Sequence, residues 1–251
     1  MSAVTSNSAQ RKVSAEALSQ ARYAIYYAPE EGSPLDLFGQ AWLGRDTRTG
    51  KRIRQPEVEG VFSQELQTIV SPAALYGFHG TLKPPFFLSD PEMKKTLIKD
   101  IKAFAAKEMP FYLPRLVVAR IGRFLVLEPE RSNNQINSLA ERCVQHFDSY
   151  RQPLDSKELK TKYFLGLNSN QKQNFLNWGY PYVMDEFRFH LTLTGRIIDI
   201  HLSDHLIREI QKQLTGIDLN NIKVSSICLF IQPNKKQPFY LHSRYKFRAT
   251  R

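Results

Sequence analysis

Cysteine is nearly absent: Cys143 and Cys228 are the only two in 251 residues, and neither belongs to a C-x-x-C. That excludes a disulfide framework and the common cysteine-based zinc sites. It leaves two thiols expected to be reduced and buried in a cytoplasmic protein. Long apolar runs are missing too. ICLFI at 227–231 is among the longest, far below the roughly 20 residues that span a bilayer. Residues 1–20, MSAVTSNSAQRKVSAEALSQ, lack the apolar core of a secretory signal and are expected to be a disordered tail. Acidic residues are outnumbered, 24 against 35 Lys+Arg, for a formal charge of +11. Such a surface favours anionic partners: a phosphorylated metabolite, nucleic acid or an acidic membrane face. The basic residues are dispersed, however, and an ordinary solvated surface accounts for them equally well.

What remains is a typical globular composition, 42% hydrophobic and 24% charged. RYAIYYAP (22–29) predicts a strand ended by proline. A short helix follows around Leu35 to Leu43, and DTRTG is a turn. SQELQTIVSP (63–72) predicts a helix with Ser63 as its cap. YGFHGTLKPPF (76–86) reads as a strand stopped by Pro84 and Pro85. Asp90 then caps a helix with Pro91 at its first position. FYLPRLVVARIGRFLVLEPE forms two strands turning at Gly122. NNQINSLAERCVQHFDSY is an amphipathic helix that buries Ile136, Leu139, Ala140, Cys143, Val144 and Phe147. After a mixed connection, FRFHLTLTGRI (187–197) is a strand. A helix capped by Ser203 and ended at Gly216 comes next, and two strands close the chain.

Two of these segments carry chemistry. Side chains alternate across a strand. In the second, Phe187, Phe189, Leu191 and Leu193 point one way, and Arg188, His190, Thr192 and Thr194 the other. In the first, Phe78 and Leu82 go inward while His79, Thr81 and Lys83 share the opposite face. Two such strands side by side line a groove with two imidazoles and two hydroxyls. With 6 histidines in the chain, chance supplies well under one His-x-Thr; here there are two, each followed by leucine. Half-buried strands with incidental polar faces would give the same letters. The pair nonetheless suits phosphodiester cleavage: one neutral imidazole takes a proton from water, and the other, protonated, donates to the leaving oxygen. The hydroxyls can donate to non-bridging oxygens, where charge builds up. No metal or other cofactor is required. Acid and base remain unassigned between His79 and His190.

HGTL (79–82) and HLTL (190–193) resemble the paired H-x-T-hydrophobic motifs of the 2H phosphoesterase superfamily. The longer phrases RYAIYYAP, AWLGRD, YGFHGTLKPPF, WGYPYVMDEFRFHLTLTGR and LFIQP resemble the branch often encoded beside phosphonate-degradation genes. The likeness runs from about Arg22 to Arg248. It implies an α+β fold: residues 21–251 as a single bilobal domain, with two pseudo-symmetric lobes whose antiparallel sheets line a central cleft and with helices outside. It implies His79, Thr81, His190 and Thr192 as catalytic residues in metal-independent hydrolysis of a cyclic phosphodiester. For this branch the substrate implied is 5-phosphoribosyl 1,2-cyclic phosphate, a small anionic sugar phosphate left by carbon–phosphorus lyase.

Lys83 and Arg188 are candidate cations for a second phosphate. Among Tyr23, Tyr26, Arg120, Arg123, Arg151 and Tyr182, which fall where they can border a cleft, Arg151, Tyr23 and Tyr26 are taken as substrate-binding candidates. His201 and His205 form H-x-x-x-H. They lack the glutamate of H-E-x-x-H, and a helix starting at Ser203 would keep them off a common face, so no metal site is expected. His146 and His242 are expected at the surface. Trp42 and Trp178 are expected to anchor packing. Two other functions stay open: an RNA-end 2′,3′-cyclic phosphodiesterase or 2′-5′ RNA ligase-like enzyme, and a non-catalytic module binding a phosphorylated ligand. Binding alone would be served by Arg or Lys rather than two histidines.

Overall fold

The computed structural model describes residues 21–248; the expected tail at 1–20 lies outside the described residues. Aromatic and β-branched residues form β1 (Arg22–Tyr27). The Ser33 side chain accepts from the Asp36 N–H to start α1 (Pro34–Leu43), and Gly44 ends it at φ 70°. α2 (Ser63–Ala74) begins without a side-chain cap, because Phe62 rather than Ser63 holds the cap position. Asp90 caps as expected, though Pro91–Met93 is a 3-10 turn before α3 (Lys94–Ala105). α4 (Asn134–His146) buries the face its spacing dictates, including Cys143. The remaining elements are β2 (Gly80–Phe87), β3 (Phe111–Tyr112), β4 (Leu116–Ile121), β5 (Phe124–Pro129), α5 (Lys162–Leu165), α6 (Ser169–Trp178), β6 (Leu191–Thr192), α7 (Ile200–Gln213), β7 (Lys223–Val224), β8 (Ser226–Gln232) and β9 (Tyr240–Lys246).

Seven strands make one antiparallel sheet in the order β4-β5-β6-β2-β1-β8-β9, and β3 with β7 makes a separate ladder. The large sheet has two wings, β4-β5-β6 and β2-β1-β8-β9, joined at one residue pair, Gly80↔Leu191. This is the two-part antiparallel α+β arrangement expected, with the halves fused edge to edge. One face carries Ile25, Tyr27, Leu82, Leu127, Leu191 and Leu229, which pack with Trp42, Val70, Ile101, Leu139 and Ile210 from the helices. Ala24, Tyr26, Cys228 and Phe230 form a smaller cluster with Phe239; strand alternation puts it on the other face. Both cysteines are buried and unpaired. Trp42 is fully buried and donates Nε1–H to the Leu193 carbonyl (2.9 Å), so it does anchor α1 against the second motif.

Three elements depart from expectation. β2 is not stopped by its prolines but runs through them to Phe87. Its register against β1 slips twice: Tyr26 pairs with Thr81, Ile25 with Lys83 and Tyr23 with Phe86. Pro84 and Pro85 fall in the second bulge, where a strand tolerates residues without an N–H. The His190 strand is short, Leu191–Thr192 only. There Thr194 Oγ1 accepts from the Leu125 N–H (3.0 Å) and donates to the Gly195 carbonyl (2.9 Å). A side chain thus takes the place of a ladder carbonyl, and Thr194 is turned into the interior, not onto the polar face. Finally, α7 is capped by Asp199, whose Oδ1 accepts from His201 and Leu202 N–H (2.8 and 3.3 Å). His201 and His205 therefore do share a helical face. His205 Nε2 bonds the Glu59 carbonyl. Among the described residues no group of three or more His, Cys, Asp and Glu is placed to hold a metal, and no helix is long and apolar enough to cross a membrane.

Candidate active site

The junction of the two wings is where the motifs meet. Gly80 pairs antiparallel with Leu191. One step along this register, Thr81 stands opposite His190 and His79 opposite Thr192. Each imidazole thus faces the hydroxyl of the other motif, and all four side chains lie on the face opposite Leu191. Gly80 is needed for this close approach, because a Cβ there would meet the Phe189 ring at 2.4 Å. Phe189, one residue before His190, seats its ring over the backbone beside His79.

Both histidines are held alike. His79 Nδ1 lies 2.8 Å from the Gly77 carbonyl, and His190 Nδ1 lies 2.7 Å from the Arg188 carbonyl. A carbonyl only accepts, so Nδ1–H donates in both rings. That leaves the Nε2 atom of each ring for other partners. The Thr81 hydroxyl sits 3.2 Å from His79 Nε2 and donates to it. Tyr26, itself buried, stacks on the His79 ring at 3.7 Å between centroids and 20° between planes; Tyr76 lies 6.3 Å away.

Electrostatics separates the pair. Burial pushes His79 down to about 4, against the pull of the Gly77 carbonyl and with a smaller push from His190. His190 is also pushed below the ordinary histidine value by burial, but the Arg188 carbonyl and the Glu128 carboxylate favour its charged form. At neutral pH His79 is neutral, and His190 is the ring with a carboxylate nearby to support a proton.

The other candidates divide. Tyr26 is in the site. Tyr23, three residues earlier, is on the opposite face, packed on Phe86 at 6.4 Å in the helix-side core; an odd spacing along a strand cannot put both on one face. Lys83 does not share the polar face of His79 and Thr81 as its spacing predicts. The bulge between Thr81 and Lys83 adds one residue and reverses the alternation, so Lys83 shares Ile25's face and is 1% exposed. Its Nζ donates to the Val144 carbonyl at the end of α4 (3.1 Å) and to Asp148 Oδ1 (3.2 Å). Burial lowers its pKa to about 8 despite Asp148. Arg151 is bound to the same carboxylate through Nε and Nη2 (2.8 and 3.0 Å). Arg188 does lie on the exposed side but grips Glu128 with two bonds (2.6 and 2.5 Å). Arg120 is tied to Ser203 and Asp204. Glu128 and Tyr76 were not among the sequence candidates. Glu128 becomes relevant only through the β5–β6 register, which pairs Leu127 with Leu191 and so brings Glu128 beside His190. Tyr76 opens the first motif's own phrase, and its place there was the available signal.

Comparison with known proteins places these residues in context. The chain is similar to the ribose 1,5-bisphosphate phosphokinase PhnN of Janthinobacterium sp. (strain Marseille), 35% identical over 80% of this chain and 44% of that one. It is also similar to the protein of that name from Laribacter hongkongensis (strain HLHK9), 29% identical over 88% of this chain and 50% of that one. It therefore spans about half the length of the curated relatives it matches. Among solved structures, a crystal structure of a phosphoesterase has TM-score 0.42 at 12% identity, covering 92% of this chain and 99% of that one. Escherichia coli LigT complexed with NADP+ has TM-score 0.38 at 12% identity over the same shares. Residues 81–240, well over half of the chain, match the family model described as protein of unknown function (DUF1045), and the chain belongs to that family.

Proposed function

We propose that this protein is a cyclic phosphodiesterase in which His79 is the general base and His190 the general acid. The observation that carries the reading is the cross-strand placement of the two His-x-Thr motifs about Gly80↔Leu191, with both Nδ1 atoms tied to carbonyls. Water attacks phosphorus as His79 Nε2 takes its proton. The ring P–O bond breaks on the far side, and His190 Nε2–H protonates the departing oxygen. Thr81 and Thr192 donate to the two non-bridging oxygens. Residues of this chain perform every step, so turnover is expected to survive EDTA; loss on chelation with recovery on adding metal would overturn the scheme.

The substrate we propose is 5-phosphoribosyl 1,2-cyclic phosphate. Opening its ring at O2 leaves the phosphate on O1, and the product is then ribose 1,5-bisphosphate, the compound for which the curated relatives are named. In those longer relatives, hydrolysis by the matched part would feed the kinase reaction in the name. The test is phosphorus-31 NMR on a panel of the phosphoribosyl cyclic phosphate, 2′,3′-cyclic nucleotides and RNA with a 2′,3′-cyclic end. The expected result is conversion of the first to a 1-phosphate monoester. A preference for RNA, with steep salt dependence, would transfer the reading to RNA ends.

The pH profile follows from the same assignment. His79 must be neutral, so kcat/KM rises as pH passes about 4. His190 must be protonated, and its pKa is lowered from the ordinary 6.5, so the basic limb falls below neutrality. A bell with its optimum on the acid side of pH 7 is expected. Glu128→Gln removes a charge that favours protonated His190, and should move the basic limb to lower pH while leaving the acid limb in place. A basic limb that stays put, measured by kcat/KM from pH 3.5 to 9, would remove His190 from the acid role.

A further inference from the structure

Arg45, in the phrase AWLGRD (41–46), follows the glycine that ends α1. Its guanidinium reaches two separate stretches of backbone. Nε donates to the Ala74 carbonyl and Nη2 to the Phe239 carbonyl, both at 2.9 Å. The Phe239 N–H in turn donates to the Leu75 carbonyl (2.8 Å), and the Leu241 N–H to that of Thr47 (2.9 Å). The corner after α1, the turn after α2 and the residues entering β9 are thus tied into one knot. Nη1 is the one buried side-chain nitrogen or oxygen without a partner among the described residues. A guanidinium kept here with one donor unmet costs stability, and its other two bonds are the ones that hold the knot.

Gly77 sits inside this knot. Its φ of 84° is left-handed, and a Cβ there would collide with Thr47 Cγ2 and lie 3.3 Å from Arg45 Nη2. The corner therefore packs directly on the Gly77 backbone. The Gly77 carbonyl is the group that accepts from His79 Nδ1–H. The rings beside His79 are held by the same residues. Phe239 stacks on Tyr76 at 5.2 Å and lies 6.3 Å from Tyr26, which stacks on His79. A neutral imidazole carries one proton, and the nitrogen without it is the one that can take another. Where the Gly77 carbonyl stands decides which nitrogen that is.

We propose that Arg45 is a positioning residue for His79: by pinning the turn after α2 to Phe239, it holds the Gly77 carbonyl where it keeps the ring proton on Nδ1 and leaves Nε2 its lone pair. The proposal deepens the phosphodiesterase reading and rests on it for the role of His79 as base, though not for the state of the ring.

Nitrogen-15 NMR of the full chain with labelled histidines reads the tautomer without turnover, and the His79 signals are identified by their loss in His79→Gln. At neutral pH burial keeps this ring uncharged, and wild type should hold mainly the Nδ1–H form. Arg45→Met keeps much of the side-chain length and removes both bonds. It should lower the ratio of Nδ1–H to Nε2–H about 3–10-fold, the worth of one hydrogen bond. Arg45→Lys keeps the charge and one donor group and should shift the ratio less; where Arg45→Met fails to fold, the ratio in Arg45→Lys decides in the same way. Arg120→Met removes two bonds from the other wing. It is the control for general loosening and should leave the ring as in wild type. In turnover of the phosphoribosyl cyclic phosphate, Arg45→Met should lower kcat by the factor by which the Nδ1–H share falls, with KM within about twofold, and Arg45→Lys should recover part of the loss. A wild-type ring with its proton on Nε2, a ratio unmoved in Arg45→Met, or an equal shift in Arg120→Met would overturn the role of Arg45. So would a shifted ratio with kcat unchanged. A ratio that shifts as expected in a protein that opens no cyclic phosphate would sink the phosphodiesterase reading and leave Arg45 as the residue that sets the ring.

Discussion

His79→Ala and His190→Ala are each expected to lower kcat by roughly 10²–10⁴, the usual range for loss of a positioned proton-transfer group. Neither ring is central to the core. His79 is half-buried, stacked on Tyr26 and bonded to a local carbonyl two residues away, and His190 has the equivalent local bond. Their removal takes away a reacting group while Gly80↔Leu191 and the wing strands on either side remain. The double variant should lose little more than the worse single, because base and acid act in one event on opposite sides of one phosphorus. The two singles should also differ in kind. Without His79 the acid limb of the pH profile disappears, and without His190 the basic limb does. Near-wild-type turnover in either single, or losses that multiply in the double, would remove the paired-imidazole mechanism.

Thr81→Val and Thr192→Val are expected to cost about 2–4 kcal/mol of transition-state stabilisation, by analogy with removing one oxyanion donor, while the corresponding serine variants should be mild. The register explains why a hydroxyl belongs at each site. Thr81 stands across from His190 and His79 across from Thr192, so a phosphate between the rings presents one non-bridging oxygen to each hydroxyl. Valine keeps the β-branched shape that suits a strand and removes the donor; serine keeps the donor and gives up the branch. At position 81 the loss has a second part, since the hydroxyl now donating to His79 Nε2 must turn to the phosphate in the complex. Melting temperatures should hardly move in any of the four variants. The decisive comparison is kcat/KM for serine against valine at both positions. If valine is tolerated as well as serine, these threonines serve only to form strands.

Much of the site was legible in the letters. His-x-Thr in a strand puts imidazole and hydroxyl on one face because the strand period is two, and that held for His79 with Thr81. Helix starts marked by a side-chain acceptor were legible where Asp90 was the acceptor, and misread at α7, where Asp199 caps four residues before the expected Ser203. Both residues can cap, and only the packing of Leu202 and Leu206 against the core decides where the first turn begins. Tyr23 and Tyr26 are three residues apart, so alternation alone puts them on opposite faces of β1.

Counting from His79 could not place Lys83. The sequence by itself determined the residue types and their two-residue spacing, on which the proposed proton-transfer chemistry rests, because alternation is a property of the local backbone. Tertiary structure decided the rest. One extra residue in the β1–β2 ladder turned Lys83 from the cleft to Asp148. The Phe189 ring seated over Gly80 brought the wings together so that each histidine faces the other motif's threonine. The β5–β6 register put Glu128 beside His190. Bulges and cross-strand partners are set by which pairing packs both faces of a sheet, and that free energy is shared among residues far apart in the chain.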